Sequence, residues 1–255
     1  MKISAMIVAF NEERNIARAV ASLTSCADEI VVVDSGSSDR TREIAAALGA
    51  RVVEEPWRGY AAQKNFAASV AAYPYILSID ADEELTPALA MEIAALKNQP
   101  PQFDAWTMPR LARYLGRWIR HSGWYPDRKV RLYNRDRAAW QGDYVHESVQ
   151  VSGSTGHLNA DLLHFTCDSL AQHARTIDRY TSLAAQQLVA SGKPLPFHRL
   201  VVDPPWTFVR SYILQRGFLD GTHGFVIAGM ASFYTFMKYA KARYAVREAP
   251  KESPR

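Results

Sequence analysis

The sequence predicts an α/β fold with a Rossmann-like, mostly parallel sheet flanked by helices. In the first hundred residues, short apolar segments typical of strands alternate with segments of helical character. The apolar segment at residues 29–34 contains four consecutive β-branched residues, which favour a strand buried on both faces. Strands and helices that alternate at this spacing are typical of βαβ units, and these units form parallel sheets.

Each element of this half has its own signal. Asn11 suits the N-cap of the first helix, Gly49 suits the end of the second, and Pro87 suits the first turn of the fourth. Strands are predicted at residues 3–10, 29–34, 51–54 and 75–79, and helices at about 12–23, 41–48, 60–72 and 87–96.

The second half has a different texture. A strand is predicted at 103–109 and a long helix at 169–190, with a proline-containing connector at 191–205. We therefore expect an α/β domain at residues 1–165, divided near residue 98, and a helical C-terminal extension at residues 166–255.

Composition sets broad limits on function. The 255 residues are 48% hydrophobic and 22% charged, as in an ordinary globular protein, and the net charge of +4 permits an acidic partner. Cys26 and Cys167 have no metal-like spacing, so neither a zinc site nor a disulfide framework is predicted. Neither a signal peptide nor a membrane-spanning segment is predicted.

Asp80 and Asp82 come directly after the fourth apolar segment. If the strand stays extended through Asp82, the two carboxylates lie on the same side. Paired carboxylates suit Mg²⁺ or Mn²⁺, which prefer oxygen ligands. The alternative is a solvated loop before an acidic helix start, in which Glu83 and Glu84 complement the helix dipole.

Polar residues follow three of the predicted parallel strands. Because ligands bind at the carboxyl edge of such sheets, Asn11, Asp34 and Asp80 are expected to line one crevice together with Asp82. The chain contains neither a Gly-x-Gly-x-x-Gly loop nor a Gly-Lys-Ser/Thr loop, so a nucleotide is not expected to bind in the dinucleotide or P-loop manner.

Two later segments have alternative interpretations. Residues 110–133 interleave arginines with aromatic residues, which is typical of single-stranded nucleic-acid binding, of a sugar- and phosphate-bearing acceptor, or of a solvated basic face. Residues 206–244 are rich in aromatic residues and are followed by basic ones, which favours contact with a membrane interface over a docked helical hairpin.

Three segments resemble glycosyltransferase family 2, whose members have the GT-A fold. They are residues 3–13, 30–39 and 80–83, which are similar to the family's first strand, nucleotide loop and metal motif. Further segments resemble the lipopolysaccharide core β-1,4-glucosyltransferase branch: residues 57–60, 63–65, 125–127, 131–132, 146–147 and 217–221.

The resemblance implies an inverting transfer from a UDP-sugar, expected to be UDP-glucose, to a heptose of the lipopolysaccharide inner core. Residues 1–98 would be the nucleotide-sugar half, 99–165 the acceptor half, and 166–255 a membrane-associating region. The protein would be cytoplasmic and peripheral on the inner face of the cytoplasmic membrane. Transfer to polyprenyl phosphate or another lipid-linked glycan stays open, and a non-catalytic nucleic-acid or membrane-binding module is a remote alternative.

A dehalogenase-type phosphatase also carries Asp-x-Asp after a strand, but there the motif is normally near the N-terminus.

The resemblance to glycosyltransferases also implies roles for individual residues. Asp34 would bind the uracil or its ribose, Asp80 the ribose or the metal, and Asp82 a divalent Mg²⁺ or Mn²⁺ ion on the diphosphate. The nucleotide pocket would also include Asn11, Glu13 and Lys64.

An inverting transfer needs a general base for the acceptor hydroxyl, and this base should come from the acceptor half. Glu147 is the preferred candidate and Asp127 the second, whereas a surface ion pair is the structural alternative for Glu147. His146 and His164 are candidates for contact with the metal or the diphosphate.

Overall fold

A computed structural model describes residues 1–142, 147–192 and 194–248 of the chain, with side chains up to residue 245. These residues form two compact units. The first contains Met1–Leu111 and Pro126–Phe165, and the second contains Ala112–Tyr125 and the chain from Thr166 onwards. The functional division at residues 165 and 166 stays a prediction.

Strands and helices alternate through the first hundred residues, as predicted. They are β1 (Ile3–Ala9), α1 (Ile16–Leu23), β2 (Glu29–Asp34), α2 (Thr41–Ala47), β3 (Arg51–Glu54), α3 (Tyr60–Val70), β4 (Tyr75–Asp80), β5 (Glu83–Leu85) and α4 (Pro87–Lys97). The strands that follow are β6 (Ala105–Tyr114), β7 (Arg117–Ile119), β8 (Asp127–Asn134), β9 (Ala138–Gln141), β10 (Ser148–Val151), β11 (Thr155–His157) and β12 (Leu162–Cys167).

The sheet of the first unit begins with four parallel strands in the order β3-β2-β1-β4. Strand β8 then pairs antiparallel with β4, and β6 pairs antiparallel with β8. The predicted parallel sheet is therefore confirmed for the N-terminal strands, and the antiparallel strands beyond them make the whole sheet mixed.

The parallel strands are apolar because both of their faces are covered. In β1 and β2, Ile7 and Val32 belong to one core cluster, whereas Met6 and Val31 belong to another. The first cluster includes apolar residues of α1 and α4, and the second includes residues of α3 together with Trp140. Alternate side chains of a strand point to opposite faces, so this division is what a two-sided core requires.

Two predicted boundaries in this unit are wrong. Helix α1 begins at Ile16 rather than after Asn11, because Asn11 has a left-handed φ of 55° and the chain turns before the helix. Strand β4 ends at Asp80, so extension does not continue to Asp82. Glu83 instead begins β5, which pairs antiparallel with β12, and α4 begins only after the N-cap Thr86.

The second unit is built mainly from helices, and the predicted helical C-terminal extension is confirmed. It contains α5 (Leu170–Ala190), α6 (Phe197–Val209), a π-helical turn (Arg210–Leu214), a 3₁₀ turn (Gly217–Asp220) and α7 (Thr222–Glu248). The predicted connector at 191–205 is wrong in part, because α6 includes Pro204 and Pro205. Helix α6 packs against α7, with an edge-to-face contact between Phe208 and Phe225 at 5.5 Å.

The segment at residues 217–221 has a structural role in this unit. The buried carboxylate of Asp220 accepts a hydrogen bond of 2.9 Å from the backbone N–H of His121 and lies 3.1 Å from the His121 ring. Within the described part of the chain, none of the helices combines the length and the apolar character needed to cross a bilayer.

Candidate functional site

Three of the predicted site residues lie at or just after the ends of parallel strands that end at the same level of the sheet. In the register of the parallel strands, Ala9 of β1 pairs with Asp34 of β2, and Val8 pairs with Asp80 of β4. Asn11, Asp34 and Asp80 therefore lie at one carboxyl edge, where open α/β sheets bind ligands.

Asp34 organises the loop that follows β2. Its carboxylate is fully buried and accepts hydrogen bonds from the backbone N–H groups of Gly36 (3.0 Å) and Ser37 (2.8 Å) and from the Ser37 hydroxyl. Gly36 has a φ of 91°, a left-handed conformation that glycine adopts at little cost. A contact between Asp34 and a nucleotide stays a prediction, since both oxygens are already engaged by this loop.

Asn11 and Glu13 connect β1 to the same loop. The backbone N–H of Asn11 donates to the Ser37 hydroxyl at 2.8 Å, and its side-chain oxygen accepts from the Ser38 N–H at 2.9 Å. The Glu13 carboxylate accepts from the Arg40 N–H at 3.3 Å. Both side chains are accessible to solvent at the edge of the sheet, as a nucleotide pocket would require.

Asp80 lies between two cations. Its carboxylate is 2.9 Å from Nζ of Lys64 and accepts a hydrogen bond of 2.7 Å from Arg131. Burial alone would raise the pKa of Asp80, but the Arg131 guanidinium and the Lys64 ammonium outweigh it and hold the pKa well below its usual range. Asp80 is therefore ionised throughout the physiological range.

Glu83 is a site residue whose role sequence reasoning missed. Its side chain is fully buried, and its Oε1 accepts hydrogen bonds from Arg131 at 2.6 Å and Arg110 at 3.3 Å. Its other oxygen accepts from the Asp80 N–H at 3.0 Å. Glu83 thus holds the turn after β4 and the two arginines together. The signal available was its position within the metal-motif resemblance at 80–83.

The residues present fit a divalent cation at Asp82 better than at Asp80. Oδ2 of Asp82 lies 3.3 Å from Nε2 of His164, and the pKa of Glu12 is raised by burial and, to a smaller extent, by the nearby Asp82 carboxylate. The described residues contain no group of three or more His, Cys, Asp and Glu that could hold a metal. Substrate phosphates and water would therefore complete the coordination.

A metal at Asp80 would have to displace Lys64 or Arg131, because each of these cations occupies one carboxylate oxygen. Ligation of a metal by Asp80 stays a prediction, and in the structure Asp80 is the partner of two cations. These two cations reduce the negative charge that Asp80 offers to a metal ion.

The two candidates for the general base have different surroundings. The carboxylate of Glu147 is 17% exposed, and its Oε1 lies 3.5 Å from Nζ of Lys64. Both oxygens of Asp127 are engaged, by Arg110 at 2.6 Å and Lys129 at 3.0 Å. Burial raises the pKa of Asp127, but these two cations outweigh it and lower the pKa below its ordinary value. Its two ion pairs therefore make Asp127 less available as a base. His146 lies outside the described residues.

A cleft of about 380 Å³ is lined by Lys64, Asp80 and Glu147 among other residues. Lys64 and Asp80 form its wall on the side of the parallel strands, whereas the rest of its described lining comes from residues 110–149. Trp140 provides an aromatic face, over which Nζ of Lys64 lies at 4.1 Å from the ring centroid. The cleft therefore brings together Lys64 and Asp80, which were predicted for the nucleotide side, and Glu147, which was predicted as the base.

A carboxylate-lined sheet edge beside a cationic cleft is compatible with the nucleotide sugar and the acceptor that the sequence predicts. A family model described as "Glycosyl transferase family 2" matches residues 4–149. The chain belongs to glycosyltransferase family 2, and its α/β sheet with a parallel N-terminal half agrees with the fold expected for that family.

Relatives resemble the chain over almost its whole length. It is 34% identical over 253 residues to an uncharacterized glycosyltransferase of Rickettsia typhi, covering 95% of this chain and 87% of that protein. It is 33% identical over 259 residues to the lipopolysaccharide core biosynthesis glycosyltransferase LpsC of Rhizobium meliloti, covering 98% and 96% of the two chains.

Solved structures are similar at a lower level. The 1–349 fragment of S. aureus TarS has a TM-score of 0.48 and 14% identity, covering 99% of this chain and 93% of that one. Glucosyl-3-phosphoglycerate synthase of Mycobacterium tuberculosis, in complex with Mn²⁺, UDP and phosphoglyceric acid, has a TM-score of 0.45 and 18% identity, covering 65% and 71%.

Proposed function

We propose that this glycosyltransferase moves glucose from UDP-glucose to a heptose hydroxyl of the lipopolysaccharide inner core, with inversion at the anomeric carbon. The observation that carries the proposal is the chain of contacts from Asp80 through Lys64 to Glu147 along one cleft. This contact chain links the predicted donor side to the predicted base. LpsC, which is similar over nearly the whole chain, supports the acceptor class.

The donor would bind at the carboxyl edge of the parallel strands. The loop held by Asp34, together with Asn11 and Glu13, would receive the uridine, and Lys64 and Asp80 would face the ribose and the diphosphate. Asp82 and His164 would hold a divalent cation, which supplies positive charge against the charge that develops on the departing diphosphate. Residues 1–98 would thus form the donor half of a catalytic domain at 1–165.

Glu147 is the proposed general base. Its carboxylate would accept the proton of the acceptor hydroxyl while that oxygen forms a bond to the anomeric carbon. The bond from this carbon to the diphosphate oxygen breaks on the opposite face, and UDP leaves with the electron pair. Lys64 would hold the Glu147 carboxylate in place through their 3.5 Å contact.

Glu147→Gln tests this role. We expect turnover of UDP-glucose with a truncated lipopolysaccharide acceptor ending in heptose to fall by about 10²–10⁴-fold, while the dissociation constant for UDP-glucose stays nearly unchanged. Glu54→Gln is the matched control, because Glu54 is exposed on β3. Turnover within about tenfold of the wild type would mean that the base is elsewhere.

Asp82→Ala tests the cation site separately. If Asp82 and His164 hold a divalent ion, this variant should lose the Mn²⁺-dependent part of UDP affinity, measured by calorimetry with and without the ion. Asp136→Ala serves as the control, because Asp136 is exposed and does not line the cleft. Unchanged Mn²⁺ dependence in Asp82→Ala would refute the assignment.

Transfer to polyprenyl phosphate is a second candidate. The cationic lining of the cleft favours it, because a phosphate acceptor needs positive charge and no general base. A dolichyl-phosphate hexose transferase of Haloferax volcanii is 38% identical, but over only 77 residues and 29% of this chain. Incorporation of labelled glucose into undecaprenyl phosphate that survives Glu147→Gln would favour this candidate over the heptose acceptor.

We also propose that the helical region at 166–255 contacts the cytoplasmic membrane surface, where the lipid-linked acceptor lies. Exposed apolar residues on α6 and the π-helical turn recur at one helical face: Val202, Trp206, Val209 and Ile213 are each at least 40% exposed. Arg210 and Arg216 are exposed in the same stretch and suit anionic headgroups.

Vesicle sedimentation tests this surface. With vesicles of phosphatidylethanolamine and phosphatidylglycerol, we expect Trp206→Ser to lower the bound fraction severalfold. Trp57→Ser is the matched control, since Trp57 has a similar exposure of 50% but belongs to the first unit. Equal loss in both variants, or no vesicle binding by the wild type, would exclude this membrane surface.

A further inference from the structure

The cleft that contains Glu147 carries more positive charge than its own carboxylates require. Five of its eleven described lining residues are cationic: Lys64, Arg110, Arg128, Lys129 and Arg131. Four carboxylates lie against these cations, namely Asp80, Glu83, Asp127 and Glu147. One cation is therefore left without a matching carboxylate.

Arg128 is that cation. In the described part of the chain its side chain bonds only the Leu158 carbonyl, at 3.0 Å, and it is exposed at the cleft. A guanidinium has five N–H donors, so most of its capacity remains for a ligand. Arg128 thus provides both an unmatched charge and free donors on the acceptor side of the cleft.

Arg131 provides a second, independent observation. Its side chain is 4% exposed, and its Nε–H has no hydrogen-bond partner in the part of the chain that the structure describes. Buried polar groups in native proteins nearly always have a partner, which can be a water, an ion or a ligand. An unpartnered donor and an unmatched cation that line the same cleft are the features expected of a site for an anion.

The lining of the cleft indicates whether the donor or the acceptor carries the anionic group that binds there. Of the residues proposed to hold the donor, only Lys64 and Asp80 line it, whereas nine of the eleven described lining residues lie between Arg110 and Val149. The negative charge therefore belongs on the acceptor side, next to Glu147. In a cleft with low-dielectric walls, the surplus charge also attracts such a group from solution.

We infer that the acceptor saccharide carries an anionic substituent, a phosphate ester or a carboxylate, which binds Arg128 and Arg131 and so presents a neighbouring hydroxyl to Glu147. The inference rests on the proposed transfer to a hydroxyl acceptor. It adds the charge of the acceptor and makes Arg128 a residue that determines acceptor specificity.

The test uses calorimetry on the full chain with glucose 6-phosphate as the probe. Glucose is the uncharged comparison, and glucuronate is the comparison that carries a carboxylate. We expect glucose 6-phosphate to bind with and without saturating UDP and Mn²⁺, and glucose to bind too weakly to measure. The tighter of the two anionic probes identifies the substituent.

Two variants with the same change of charge complete the test. Arg128→Gln should weaken glucose 6-phosphate binding by about tenfold while changing UDP affinity less than twofold. Arg137→Gln is the control, because Arg137 is exposed on the same half of the chain but does not line the cleft, and it should leave both affinities unchanged.

The possible failures are distinguishable. Displacement of glucose 6-phosphate by UDP would overturn the inference, because the cations would then serve the donor diphosphate, and the proposed transfer would stand. Equal binding of glucose and glucose 6-phosphate would overturn it as well. Failure of the proposed function would instead appear as no binding of UDP at all, whatever the result with the sugar phosphate.

Discussion

Removing the negative charge of Glu83 is the most direct test of the buried ion cluster beneath the site. Glu83→Gln keeps the shape of the side chain and can still accept from the Asp80 N–H, a bond of 3.0 Å. It removes the charge that Arg131 contacts at 2.6 Å and Arg110 at 3.3 Å. The variant therefore isolates the electrostatic part of these contacts.

The burial of the pair sets the magnitude. Glu83 is fully buried and the Arg131 side chain is 4% exposed, so solvent screens their interaction very little. Breaking a buried ion pair by removing one partner costs about 3–5 kcal/mol. Because Arg131 keeps Asp80 as a partner, we expect the lower end, about 3 kcal/mol. That loss corresponds to a fall in Tm of about 6–12 °C for a domain of this size.

Urea unfolding followed by circular dichroism measures this loss. The matched control is Glu54→Gln, since Glu54 contacts Arg42 at the same distance of 2.6 Å but with 67% of its side chain exposed. An exposed pair of this kind contributes less than about 1 kcal/mol. The reasoning is refuted if the two variants lose the same stability, or if Glu83→Gln loses less than about 1 kcal/mol.

Three further predictions follow from the same structure. The folded-state pKa of Asp80 lies below the unfolded value of about 3.9, so the ionised carboxylate stabilises the fold above that pH and this stabilisation is lost as the pH falls further. Asp80→Asn should therefore reduce the slope of the unfolding free energy against pH in acid by up to about 1.4 kcal/mol per pH unit. Asp136→Asn should leave this slope unchanged. Cys26 is fully buried and burial raises its pKa to about 11, so Ellman's reagent at pH 8 should label it only as fast as the protein unfolds; rapid labelling of the native protein would contradict its burial. A Cβ at Gly224 would collide with the Gly217 carbonyl, whereas a Cβ at Gly229 meets nothing within 4 Å. Gly224→Ala should therefore lower Tm, and Gly229→Ala should be neutral or stabilising by up to about 1 kcal/mol. Equal effects of the two substitutions on Tm would argue against this packing of α7.

The carboxyl edge could be predicted from the sequence because its geometry is periodic. Once strands at 3–9, 29–34 and 75–80 are parallel neighbours, their ends lie at one edge, and the residues that follow them must lie there too. The β-branched and apolar segments that predict these strands are patterns of neighbouring residues. Asn11, Asp34 and Asp80 were found in this way.

The geometry around Asp82 could not be predicted, because it depends on a distant strand. The chain turns after Asp80 so that β5 can pair with β12, where Glu83 pairs with His164. That pairing also brings His164 to Asp82. No local pattern indicates a partner eighty residues away, and the acidic residues at positions 80 and 82–84 also allowed a loop or a helix start.

Helix α6 shows how packing overrides local propensity. Pro204 and Pro205 each remove a backbone donor and disfavour a helix interior, so the sequence favoured a connector. In the folded unit Pro204 is buried, and the helix packs against α7. The packing of the helix against α7 outweighs an unfavourable preference at two positions.

The sequence by itself determined the alternation of strands and helices, the edge at which they end and the membership of glycosyltransferase family 2, because periodicity and short motifs are properties of neighbouring residues. The tertiary structure alone decided that Asp80 pairs with Lys64 and Arg131, that Glu83 is buried between two arginines, and that Glu147 shares a cleft with Arg128. These charge pairs are formed by side chains that lie 16 to 51 residues apart along the chain, and their strength depends on burial. Only the folded chain sets both the distance and the exclusion of water.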